Sequence, residues 1–205
     1  MRNRLALLFA VAALVGGGSA RAAAPDSGAL TAALRTAIDR GELLYIYDQA
    51  AWHGTDDIRT KFPNLLSQAG GYVVTGDQAR TEVVFFDKLK IRAVYRASFT
   101  SGVLASSGAA SGERAELTAL ERQMIVAKEK GYDAFLAADV GLCSRQTPNL
   151  AVLPPERPGG SAIVYLMTPQ TELKAYPIGG HYSVEVNQDG VVGKVRRFTN
   201  SCIAM

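Results

Sequence analysis

The sequence predicts a single α+β domain, mainly antiparallel sheet with two principal helices packed on one side. Three observations carry that expectation. Two stretches, 26–40 and 113–130, repeat apolar residues every three or four positions. Two others, 71–100 and 149–198, are β-rich and punctuated by turn residues. No internal repeat or clean linker interrupts them, and the order helix, meander, helix, meander is that of one α+β unit.

The chain opens on a secretory pattern. Arg2 and Arg4 precede an unbroken apolar run from Leu5 to Val15, Gly16-Gly17-Gly18-Ser19 breaks it, and Ala20-Arg21-Ala22 offers small residues for cleavage after Ala22. The run falls short of the roughly 20 apolar residues that span a bilayer. No cysteine follows for a lipid anchor, and Arg2-Asn3-Arg4 is not a twin-arginine pair. The expected organisation is therefore a signal peptide over 1–22 and one domain over 23–205. The expected location is periplasmic or secreted, with no membrane span after processing.

Removing the leader changes the charge. The whole chain carries 22 Lys and Arg against 19 Asp and Glu, a formal +3. Residues 1–22 hold Arg2, Arg4 and Arg21 and no acid, so the mature chain is formally neutral. That balance lacks the basic footprint of nucleic-acid binding.

Each element has a local reason. Leu30, Leu34 and Ile38, with Ala33 and Ala37, mark the apolar face of a helix that Asp26 or Ser27 can cap and Gly41 can end. Leu43 to Tyr47 reads as a short strand. The segment 52–57 reads as a loop, followed by a short helix that Pro63 breaks. Runs at 71–75 and 80–86 form a hairpin through Gly76-Asp77-Gln78. At 91–100 apolar Ile91, Ala93, Tyr95, Ala97 and Phe99 alternate with a largely polar set, as in a strand wet on one face. Residues 105–112, rich in Ser, Gly and Ala, read as a flexible loop. Leu117, Leu120, Met124 and Ala127 stripe the second helix, which Gly131 can stop. Strands follow at 149–153, 162–167, 182–186 and 191–198. Pro154-Pro155 ends the first, and Asp189-Gly190 turns between the last two.

Cys143 and Cys202 are the only cysteines, far apart and in no CxxC motif. In an exported chain such a pair is expected to be a structural disulfide, closing a loop whose chain entropy is worth roughly 4 kcal/mol.

Two polar clusters are candidate binding sites. The first is Asp48, Trp52, His53, Asp56 and Asp57, with the only tryptophan and one of two histidines. The indole could stack on a sugar or peptide, or pack inward. The segment 52–57 is expected on the rim of the largest concavity, with His53 at least partly exposed. The second is His181 and Tyr182 after Gly179-Gly180, a pair that suits a tight turn or a pocket wall. His53, His181 and Asp56 or Asp57 would meet the ligand count of a catalytic zinc, but His-x-x-Asp is not the H-E-x-x-H helix motif. Asp56 or Asp57 reads better as a helix N-cap, and no metal or cofactor is expected. No G-x-S-x-G elbow, Walker loop or dinucleotide fingerprint occurs. Arg196 and Arg197, adjacent on a strand, point to opposite faces.

Two sets of residues resemble a pattern in uncharacterised exported proteins of Gram-negative bacteria. One is Tyr47-Asp48-Gln49-Ala50-Ala51-Trp52-His53-Gly54-Thr55. The other comprises Leu166-Met167-Thr168-Pro169-Gln170-Thr171, Gly179-Gly180-His181-Tyr182 and Arg196-Arg197-Phe198-Thr199-Asn200-Ser201-Cys202. The resemblance implies a secreted, usually periplasmic, protein and brings no activity. The leading expectation is a small non-enzymatic domain that binds a protein partner or envelope component. The alternative is a hydrolase acting on an envelope polymer through His53, His181 and nearby carboxylates. The sequence leaves both classes open.

Overall fold

The structure, a computed structural model, describes residues 27–204 apart from Lys174. The expected leader and the expected Asp26 cap lie outside the described residues. The fold is α+β, with two four-stranded antiparallel sheets and two principal helices.

Helix α1 runs without interruption from Ser27–Lys61. At 1.5 Å per residue its 35 residues extend about 52 Å. This corrects three expectations. Gly41 does not end the helix, 43–47 is not a strand, and 52–57 is not a loop. Gly41 faces open space, so it costs only the roughly 1 kcal/mol of a helical glycine. The packing stripe of α1 is Tyr47, Ala50, Ala51, Gly54 and Ile58, all buried. The Leu30, Leu34 and Ile38 stripe is instead exposed, because the first turns carry no neighbouring layer. Asp56 and Asp57 fall inside the helix and cap nothing. A four-residue helix, α2 (Pro63–Leu66), follows Phe62.

The first sheet orders β1 (Ala69–Gly76), β2 (Arg80–Asp87), β3 (Ala93–Thr100) and β4 (Val103–Ala109) as a meander. Strand β4 replaces the expected loop at 105–112. Its small residues pair along β3 from Tyr95↔Ala109 to Thr100↔Val103. Strand β3 is not wet on one face, since Val94 and Arg96 are buried along with Tyr95 and Ala97. The reason is that a 3₁₀ turn packs on that face and the first turn of a second helix reaches Arg96.

That helix, α3, spans Ala119–Ala137 and starts later than expected. Thr118 caps it, accepting from the Glu121 N–H while the Glu121 carboxylate accepts from the Thr118 N–H, a capping box. Glu113 belongs to a 3₁₀ turn over Gly112–Ala115. Leu120 turns outward and Gly131 does not stop the helix. A Cβ on Gly131 would stand 2.8 Å from Val164 Cγ2, so glycine there permits close packing on the second sheet.

The second sheet orders β5 (Asn149–Leu153), β6 (Ala162–Met167), β8 (Tyr182–Val186) and β9 (Arg196–Arg197). The expected strand over 191–198 shrinks to β9 and a single bridge, Val186↔Val192. Strands β7 (Pro177–Ile178) and β10 (Ile203–Ala204) pair separately. Beside them the Cys143–Cys202 disulfide fastens the C-terminus, with Cα atoms 5.4 Å apart.

The helices occupy opposite faces, not one side. Gly54 of α1 rests on Val83, whereas α3 reaches Arg96, which pairs with Val84 and so points the other way. On the second sheet α3 covers Val164, and α1 borders a groove floored by Ile163 and Tyr165. The edge strands β1 and β5 lie side by side without forming one ladder. The result is three layers, α1, a pair of sheets meeting at a seam, and α3.

Candidate functional site

The seam is where polar chemistry enters the core. A cleft of about 440 Å³ opens there. Tyr47, Asp48, Ala51, Trp52 and Thr55 of α1 form one wall, β1 and β5 contribute their edges, and Met167 closes one side. Lys128 comes from α3, on the far side of the layer, so its stem crosses the seam to reach the cleft.

Lys128 is partly buried, and its surroundings are unusual for a cation. Its Nζ donates to the Tyr72 carbonyl at 2.9 Å and lies 4.3 Å from the centroid of the Tyr72 ring. It forms no ion pair among the described residues. Loss of water around the ammonium lowers its pKa from the ordinary 10.5 to about 8. Burial, and then the Asp48 carboxylate, push the Tyr72 hydroxyl upward. Asp48 itself is exposed at the mouth of the cleft.

Other desolvated charges in the fold are compensated. Arg96, 6% exposed, grips both carboxylate oxygens of Glu121, at 2.7 and 3.0 Å, and reaches Glu82 at 3.2 Å. Asp57 accepts from the Tyr95 hydroxyl at 2.7 Å and pairs with Lys61 at 2.5 Å. Burial would raise the Asp57 pKa, but hydrogen bonds from Lys61, Tyr95 and Ser107 outweigh it and hold the carboxyl below its ordinary value.

The first sequence cluster divides over α1. Trp52 is 58% exposed and lines the seam cleft with Asp48. His53 is exposed, and its ring stacks on Trp52 with centroids 5.0 Å apart. It faces a different groove, of about 790 Å³, with Asp77 and Ser101. Asp56 pairs with Arg59 one turn on, at 2.7 Å, and Asp57 is the structural carboxylate described above. The largest of the five cavities described, about 900 Å³, lies beside Arg40, Tyr165 and Phe198 and holds none of 52–57. Within 52–57, Trp52 and Thr55 line the seam cleft instead, and His53 lines the groove beside Asp77.

The second cluster is a structural knot. His181 Nδ1 accepts from the Thr168 N–H at 3.0 Å, and Nε2 lies 3.2 Å from the Pro177 carbonyl. The Thr168 hydroxyl reaches the Gly179 and Gly180 carbonyls at 2.9 and 3.0 Å. At φ 122° and 64° these glycines sit against Ser201 and Cys143, where a Cβ would fall 1.9 and 2.5 Å from backbone atoms. Tyr182 is 1% exposed, donates to the Gly141 carbonyl at 2.6 Å and packs edge-on to Phe135. No cavity described is lined by both His53 and His181, and among the described residues no group of three or more His, Cys, Asp or Glu could hold a metal ion. Arg196 lies over the Phe198 ring and Arg197 over Tyr182, on opposite faces as expected.

Lys128 and Tyr72 were not singled out from the sequence. Lys128 follows Met124 by four and Ala127 by one, so helical spacing puts it at the edge of the buried stripe. That position was the available signal. Comparison with protein families, curated proteins and solved structures finds no match for this chain.

Proposed function

We propose that this chain is an exported, non-enzymatic binding domain whose ligand site is the seam cleft. The observation that carries the reading is Lys128, a desolvated cation without a carboxylate partner in a concave site walled by Trp52, Tyr47 and Met167. Ligand sites combine apolar walls with a few convergent polar groups and perturbed titratable residues. The cleft volume falls within the roughly 300–1,000 Å³ of small-molecule pockets. The disulfide and the leader pattern support an oxidising compartment outside the cytoplasm. The geometry favours binding over hydrolysis through His53 and His181, because backbone partners occupy both ring nitrogens of His181.

The test is ligand retention. Full-length chain is expressed with its leader, recovered from the periplasm, and denatured to release what it carries. Mass spectrometry should find a small molecule on the wild type that Lys128→Met loses. Identical profiles from the two folded proteins would move the site elsewhere.

A further inference from the structure

We propose that the seam cleft takes a small monoanionic carboxylate with an apolar or aromatic body, and that the Lys128 ammonium is its counter-ion. This rests on the cleft being a binding site and adds the class of ligand.

Charge and hydrogen-bond donors at Lys128 define the class of ligand. An ammonium has three donors and no acceptor. One donor of Lys128 goes to the Tyr72 carbonyl, a neutral group, so a positive charge and two donors remain uncompensated by the protein. Charges withdrawn from water are normally paired, and Arg96 and Asp57 show that this fold pairs them. The Tyr72 ring face at 4.3 Å adds a cation–π contact but no counter-charge. A ligand carboxylate supplies both the charge and the acceptors, and charge-assisted hydrogen bonds are the strong ones.

The rest of the cleft limits that anion. A phosphate dianion calls for several cations or a nest of backbone N–H groups. Here Lys128 is the single basic residue among the lining residues, and Asp48 adds a negative charge at the mouth. One negative charge is compensated and a second is disfavoured. Trp52, Val74 and Met167 offer apolar and aromatic surface to the remainder of the ligand.

The experiment titrates the disulfide-bonded wild type and Lys128→Met with benzoate, hexanoate, benzamide, hexanamide and phenylphosphonate. Amide resonances of β1 and β5 are followed by NMR at pH 7. The carboxylates should bind the wild type at least about tenfold more tightly than the amides, the scale of one charge-assisted contact. The phosphonate should bind more weakly than benzoate. Lys128→Met should stay folded by circular dichroism and lose the preference for acid over amide. Acid and amide binding equally well, or a preference that survives in Lys128→Met, would overturn the assignment of ligand class while leaving the cleft a binding site. Absence of any carboxylate binding would overturn it too, and ligand retention would then judge the cleft separately.

Discussion

The Arg96 guanidinium and the Glu121 carboxylate meet through two hydrogen bonds, 2.7 and 3.0 Å long, between the first sheet and α3. Both residues are buried. Burial works against the charge of Arg96, but Glu121 and Glu82 outweigh it and raise its pKa. Glu121 also closes the capping box with Thr118, and Arg96 satisfies the Arg114 and Glu116 carbonyls. The pair thus ties helix start, 3₁₀ turn and sheet together.

Removing one partner leaves a buried charge alone, which typically costs about 3–5 kcal/mol. Glu121→Leu is expected to lose that much in urea unfolding. The double variant Arg96→Met, Glu121→Leu should recover part of the loss, because no orphan charge remains. Recovery is incomplete, since two carbonyls lose their donor.

Gly131→Ala gives the opposite of the helix-propensity expectation. Alanine in a helix interior gains about 1 kcal/mol over glycine. Its Cβ would stand 2.8 and 2.9 Å from Val164 side-chain atoms, however. Overpacking of that kind costs about 1–3 kcal/mol, so the variant is expected to be less stable. Adding Val164→Ala should turn Gly131→Ala from harmful to neutral or better in the same assay.

Reduction of Cys143–Cys202 frees a chain segment of 59 residues' separation. Chain entropy puts the loss near 4 kcal/mol as an upper figure. Hydrogen exchange should speed first at β7, β10 and the Gly179–Gly180 turn, which pack beside the bridge. Under native, unreduced conditions an alkylating reagent should label neither cysteine.

Lys128 makes stability depend on pH with a definite sign. Its folded pKa, about 8, lies below the ordinary 10.5 of the unfolded chain. Between those values the unfolded state holds the proton and the folded state does not, so the native state gains stability as pH rises through that window. Below pH 8 the desolvation cost is fully present. The shift corresponds to about 3 kcal/mol as an upper figure, because solvent still reaches part of Lys128. Lys128→Met is therefore expected to be more stable than wild type at pH 7, by a margin that shrinks towards pH 10. Comparing the two proteins cancels the opposite contribution of Tyr47 and Tyr95, whose pKa values burial raises.

Much of the fold was legible because its strands follow the simplest signals. Strands β5, β6 and β8 match their apolar runs residue for residue. The two helices were harder, for physical reasons. Gly41 and Gly131 look like stops, yet α1 passes an open-space glycine at small cost and α3 uses its glycine for contact with Val164. Strand β4 has large apolar residues only at its start, Val103 and Leu104, and its Ala, Ser and Gly residues owe their strand form to pairing along β3. Of the candidate residues, Asp48 and Trp52 do reach the seam cleft. Ending the second helix at 130 rather than at Ala137 puts Lys128 in a last turn, where a cation is ordinary and draws no notice. A seam between two sheet edges is tertiary geometry that no local pattern encodes.

The uncompensated charge of Lys128 is the centre of this account, and its titration measures that charge most directly. Carbon-detected NMR of the lysine side chains follows each Cε from pH 6 to pH 11, with Lys128→Met identifying the resonance. Lys128 is expected to titrate near 8 in ligand-free protein and to move upward when benzoate is added. A value near the ordinary 10.5 without ligand would mean that water or an acid already balances the ammonium, and would contradict it.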